Sequence, residues 1–131
     1  MAEHQEAPSG SLAHRIDAIE AAYEYMLAYA AQGRSDEPAG PGNIRDFLKR
    51  AEAALDGLDG AARSSAKGGL AAAAGPFIDV LAEDTRKALA AVRLALATRA
   101  ITSQIVDTLN ASIHLRALLT DLFLIDESLK D

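Results

Sequence analysis

Glycine and proline are confined to the first part of the chain, and this distribution limits the fold more than any other feature. All nine glycines and all four prolines lie between positions 8 and 76, so residues 77–131 contain neither. Because both residue types interrupt helices, these last 55 positions are free to form helix. A single helix of that length would extend about 80 Å, too long for the rest of the chain to cover. We therefore predict two helices there, separated at residues 98–103.

Alanine and leucine dominate the apolar residues. The chain has 29 Ala and 17 Leu but only eight Ile and three Val. Alanine and leucine lose least on entering a helix, whereas the β-branched and aromatic residues that favour strands are scarce. This composition predicts an all-α fold and excludes a β-sandwich or β-barrel. The length of 131 residues fits one domain.

Apolar spacing and capping residues predict four helices. The first, at about 11–33, begins at Ser11, whose hydroxyl can cap it, and its apolar residues recur at alternating spacings of three and four. The others are expected at about 43–58, 76–98 and 101–129. Amphipathic helices joined by mostly short connections are typical of a four-helix bundle, which is the fold that we predict.

The remaining segments are predicted to be mobile. Residues 1–10 form a polar tail, and residues 11–131 form the helical domain. Residues 33–42 combine two prolines, three glycines and three charged side chains, so they cannot bury much apolar surface. Residues 59–75 contain four glycines, which oppose helix, beside an alanine run that favours it. We predict mobile linkers at 33–42 and 59–75, and whether the second is helix or loop is left open.

Charge and composition narrow the partners and the compartment. There are 19 acidic and 13 basic residues, for a net charge of −6 and without a basic run, so nucleic acid is not expected as a partner. The absence of cysteine excludes disulfides, thiolate nucleophiles and zinc fingers. No secretory signal or membrane span is evident, and we expect a cytoplasmic protein. The excess of arginine over lysine in an alanine-rich chain is typical of bacterial, GC-rich coding sequence.

Motifs of known enzyme classes are missing. The Ser64 and Ser65 pair lacks a Gly-x-Ser-x-Gly frame, and residues 68–75 lack the Gly-Lys-Ser/Thr ending of a phosphate-binding loop. Asp79, Glu83 and Asp84 open the predicted third helix, where acids complement the helix dipole. We therefore expect a protein that is not an enzyme and needs no cofactor.

A polar stripe on the last predicted helix is the one candidate for metal or small-ligand binding. Its side chains fall within roughly 60° of one another on a helical projection. They lack the Glu-x-x-His spacing of di-iron bundles. The stripe consists of Asp107, Asn110, His114 and Asp121, with possible help from His14 and Asp17 of the first helix.

The last helix also has more apolar surface than one packed face requires. The residues that we predict to form a partner or dimer interface there are Leu115, Leu118, Leu122, Phe123, Leu124 and Ile125. On the first helix, Tyr23 is expected in the core, while Tyr25 and Tyr29 lie one turn apart on the other side and suit an interface.

These patterns favour a small, self-associating protein-interaction module, such as a regulator, an adaptor or an accessory subunit. The metal- or small-ligand-binding bundle is the alternative. A third possibility is a coat protein whose amphipathic helices adsorb to a hydrophobic granule or lipid surface. The helices lack the basic polar faces typical of membrane-surface binding.

Overall fold

A computed structural model describes residues 10–129, and within them it contains six α-helices and no strand. The predicted all-α class is confirmed, with six helices where the sequence predicts four. Apart from Gly10, the predicted tail at 1–10 lies outside the described residues. The helices are α1 (Leu12–Ala31), α2 (Ile44–Leu55), α3 (Leu58–Ser65), α4 (Gly69–Ala97), α5 (Ser103–Ala111) and α6 (Ile113–Leu129).

One break shortens the predicted second helix near its end, and another divides the predicted last helix. Gly57 has a φ of 91°, a left-handed conformation that a glycine adopts without strain, and it separates α2 from α3. Ser112 separates α5 from α6 in an extended conformation with a ψ of 142°. The Ser112 hydroxyl accepts a hydrogen bond from the Leu115 N–H at 3.2 Å, which caps α6. The prediction of one helix over 101–129 is therefore wrong, because a capping serine interrupts it without glycine or proline.

The third predicted helix begins earlier than expected. Helix α4 starts at Gly69 rather than at Pro76, which lies inside it. The four alanines that precede Gly75 have the highest helix propensity of any residue, and this outweighs the stop that the glycines suggest. The segment 59–75 thus contains most of α3 and the first turns of α4. Its mobility stays a prediction.

One hydrophobic core joins the six helices. Helix α1 packs against α2, α3 and α5, and α4 packs against α2, α3, α5 and α6. Each of the other four helices therefore packs against α1, α4 or both. None of the helices described between residues 10 and 129 combines the length and the apolar character that a membrane span requires.

The loop between α1 and α2 is irregular, as predicted, but it is tied to the rest of the chain. Glu37 accepts hydrogen bonds from the Arg45 guanidinium at 2.8 Å and from the Ile101 N–H at 3.0 Å. Arg45 also donates to the carbonyl of Leu96 at the end of α4. The hydrogen bond from Arg45 holds the pKa of Glu37 below its usual value. An ion pair therefore fixes the loop against the connection between α4 and α5.

Candidate functional site

Two aspartates meet where α4 packs against α6. Asp121 of α6 is buried, and its carboxyl lies within hydrogen-bonding reach of the carboxyl of Asp84 on α4. Burial, followed by the hydrogen bond and the charge of Asp84, raises the pKa of Asp121 from 3.8 to about 7. The carboxyl of Asp121 therefore keeps its proton until the pH approaches neutrality.

The surroundings of this carboxyl pair do not compensate its charge. Within residues 10–129, Asp84 is the one charged group that affects the pKa of Asp121. Neither the Oδ2 atom of Asp121 nor the buried hydroxyl of the neighbouring Thr85 has a hydrogen-bond partner in the described structure. Such unpaired polar atoms are costly to bury. A second negative charge at this junction would therefore weaken the packing of α6 on α4.

The contacts of α6 show its direction relative to α4. Ser112, immediately before α6, lines a groove with Leu94 and Ala95 near the end of α4. Asp121, nine residues after Ser112, lies beside Asp84. Asp84 is about ten residues before Leu94 on α4. Helix α6 therefore runs antiparallel to α4.

Val80 and Leu124 lie on the outside of this helix pair. Val80 is four residues before Asp84 and Leu124 is three residues after Asp121, so each lies one turn from the carboxyl pair. Because the helices are antiparallel, Val80 and Leu124 both lie on the same side of the carboxyl pair along the axes of α4 and α6. The two side chains are 48% and 51% exposed. We call Val80 and Leu124 the outer patch.

Most of the predicted interface residues of the last helix lie in the chain's own core. The buried ones are Leu115, Leu118, Leu122 and Ile125. Phe123 and Leu124 remain exposed, and their directions differ by about 100° around the helix. The exposed apolar surface of α6 is thus narrower than the sequence pattern suggests, because α4 and the core cover one broad face.

The tyrosines of α1 are placed differently from the prediction. Tyr29 is fully buried, and its hydroxyl donates to the carbonyl of Ile101 at 2.5 Å. Tyr25 is half-buried, and its ring stacks on Phe47 of α2 with a centroid separation of 4.2 Å. Tyr23 is also only half-buried. The expectation of an exposed Tyr25 and Tyr29 pair is wrong for Tyr29, because the core face of α1 continues through Met26 to Tyr29.

Replacing Tyr29 with phenylalanine is expected to destabilise the protein by about 1–3 kcal/mol, because the Ile101 carbonyl would lose a buried donor. Urea unfolding measures the change. Tyr23→Phe is the matched control, since Tyr23 is half-buried and its hydroxyl has no hydrogen-bond partner among residues 10–129. Equal losses in the two variants would show that the buried hydrogen bond contributes nothing measurable.

The candidate metal residues do not come together. His14, Asp17, Asp107 and His114 are exposed, whereas Asp121 is buried. The predicted stripe assumes one continuous helix, but the break at Ser112 places Asp107 and His114 on separate helices. Across the described part of the chain, no three His, Cys, Asp or Glu side chains lie close enough to hold a metal ion.

Asp84 is the site residue that the sequence analysis misses. The prediction that Asp79, Glu83 and Asp84 open a helix is wrong, because α4 begins at Gly69 and they lie near its middle. Asp84 is three residues after Leu81 and four before Ala88, both buried, so it borders the apolar face of α4. An acidic residue at that position is the signal that could have identified it.

Comparison of the chain with protein-family models, with curated proteins and with solved structures finds no match. The chemistry and exposure of individual residues are therefore the basis for a functional proposal.

Proposed function

We propose that this chain is a small non-catalytic protein-interaction module, a regulator, an adaptor or an accessory subunit, that associates with a second copy of itself through the outer patch. The observation that carries the proposal is the exposure of Val80 and Leu124 on two helices that pack against each other. In this proposal the two side chains form part of one exposed apolar patch, and contiguous patches of this kind mark interaction surfaces. We also propose that the six helices form a variant of the four-helix bundle. In it, α2 and α3 together take the place of one helix, and α5 and α6 together take the place of another.

A two-fold dimer suits this surface. In such a dimer the same patch meets itself, so one apolar patch is sufficient for both partners. The net charge of −6 opposes the approach of two copies, and the carboxyl pair lies one turn from the patch. Protonation of Asp121 removes negative charge beside the interface. Self-association is therefore expected to be stronger below pH 7 than above it.

Charged substitutions in the outer patch test the proposal. Val80→Glu and Leu124→Glu are each expected to shift the protein toward a single-chain mass at micromolar concentration, because a carboxylate would be desolvated in the interface. Leu27→Glu on α1 is the matched control, since Leu27 is 48% exposed, the same as Val80. Light scattering on a sizing column gives the mass of each variant. A dimer that tolerates both outer-patch substitutions would place the interface elsewhere.

A further inference from the structure

A second surface feature lies away from the outer patch, between α1 and the junction of α5 with α6. It is a pocket of about 340 Å³ with both polar and apolar side chains in its lining. Leu27 and Tyr23 of α1 line one side, and Asp107 and Asn110 of α5 line the other, with Arg116 of α6 completing it. The volume is at the lower end of the roughly 300–1,000 Å³ that is usual for small-ligand sites.

The amide of Asn110 is the unusual group in this pocket. The residue is only 7% exposed, and neither its Nδ2 nor its Oδ1 atom has a hydrogen-bond partner in the described structure. Buried amides of this kind are nearly always hydrogen-bonded. An amide supplies both donors and an acceptor. A ligand that carries both kinds of group would satisfy it after a change of the Asn110 rotamer turns the buried amide toward the pocket.

Two side chains of opposite charge line the pocket together with Asn110. The Arg116 guanidinium and the Asp107 carboxylate are both exposed, and neither forms an ion pair with another described residue. They line the same pocket without an ion pair between them. A guanidinium binds a carboxylate through two parallel hydrogen bonds, and a carboxylate accepts hydrogen bonds from an ammonium group. The pocket thus offers separate positions for an anion and a cation.

We propose that this pocket binds a small zwitterion with an apolar body, the chemistry of a free apolar α-amino acid. Arg116 binds the ligand carboxylate, and Asp107 binds the ligand ammonium group. Asn110 hydrogen-bonds to the same end of the ligand. Leu27, which is 48% exposed, and the Tyr23 ring contact its apolar side chain. This inference does not depend on self-association, because it concerns a different face of the chain.

Isothermal titration of the full chain with L-leucine tests the site. Binding in the millimolar range or tighter is expected. Two analogues each lack one charged group: 3-methylbutylamine has no carboxylate, and 4-methylpentanoate has no ammonium group. Each analogue is expected to bind roughly tenfold more weakly than leucine, because one charged hydrogen-bonded contact is lost.

Single substitutions assign the two charged contacts. Arg116→Gln is expected to weaken the binding of leucine and of 4-methylpentanoate roughly tenfold and to leave 3-methylbutylamine unchanged. Asp107→Asn is expected to weaken leucine and 3-methylbutylamine and to leave 4-methylpentanoate unchanged. Arg99→Gln, an exposed arginine that does not line the pocket, is the matched control and should bind all three as the wild type does.

Three results would overturn the proposal. The first is the absence of leucine binding at millimolar concentration. The second is leucine binding that is unchanged in both Arg116→Gln and Asp107→Asn. The third is an analogue that binds as tightly as leucine, since the pocket would then recognise only one charge. Circular dichroism of each variant confirms that it is folded before its titration is compared.

Discussion

Replacing Asp121 with asparagine is expected to stabilise the protein above pH 7 and to remove most of the pH dependence of its stability between pH 4 and pH 8. In the wild type, the pKa of Asp121 is raised from 3.8 to about 7 in the folded state. The folded state thus binds this proton more tightly than the unfolded state. The resulting stabilisation is fully present below pH 4 and is lost as the pH rises through about 7.

The size of the effect follows from the shift in pKa. A change from 3.8 to about 7 corresponds to a difference on the order of 2–4 kcal/mol in the free energy of unfolding. Asparagine has the shape of a protonated aspartate, and its amide can donate a hydrogen bond to the Asp84 carboxylate. The variant should therefore retain at pH 8 the stability that the wild type shows only near pH 4.

Urea unfolding at several pH values measures this difference. Asp17→Asn on α1 is the matched control, because it removes the same charge from an exposed position and should keep the wild-type pH profile. Asp84→Asn should weaken the pH dependence without removing it, because burial, the larger cause of the raised pKa of Asp121, remains. A wild-type pH profile in Asp121→Asn would contradict the raised pKa of Asp121.

Replacing Leu58 with alanine is expected to cost about 2–5 kcal/mol of stability. Leu58 begins α3 and is completely buried, so its truncation leaves a cavity between α3 and the core. Leu94→Ala is the matched control, since Leu94 is 72% exposed and its truncation should change stability by less than about 0.5 kcal/mol.

Urea unfolding at one pH compares the two leucine variants. Hydrogen exchange supplies a second readout, because the amides of residues 62–65 should be protected in the wild type if α3 is packed. Equal stability of Leu58→Ala and Leu94→Ala, together with rapid exchange over 62–65, would contradict the packing of α3. Those two results together would support the mobile linker that the sequence predicts at 59–75.

Features that depend on local sequence were predictable. The Ser11 hydroxyl accepts a hydrogen bond from the His14 N–H at 3.2 Å, which confirms the predicted start of the first helix. The Thr102 hydroxyl accepts from the Ile105 N–H, and a break lies at 98–103 as expected. Composition alone predicts the all-α class, because alanine and leucine favour helix in any context.

Features that depend on tertiary contacts were not predictable from one sequence. Ser112 has the same chemistry as many serines inside helices, and whether it ends a helix depends on how α5 and α6 pack. The buried hydrogen bond of Tyr29 joins it to Ile101, which lies 72 residues away in the chain, so no local pattern indicates it. The pairing of Asp84 with Asp121 likewise requires the register of α4 against α6, which spacing within one helix does not define.

Sedimentation velocity of the wild-type chain over a dilution series, below and above pH 7, tests self-association most directly. We expect the mass of two chains at micromolar concentration, a shift to the mass of one chain on dilution, and a stronger dimer at the lower pH. The pH dependence follows from Asp121, one turn from the outer patch, which loses its proton as the pH rises through about 7. The mass of a single chain at every concentration and pH would contradict the proposed function.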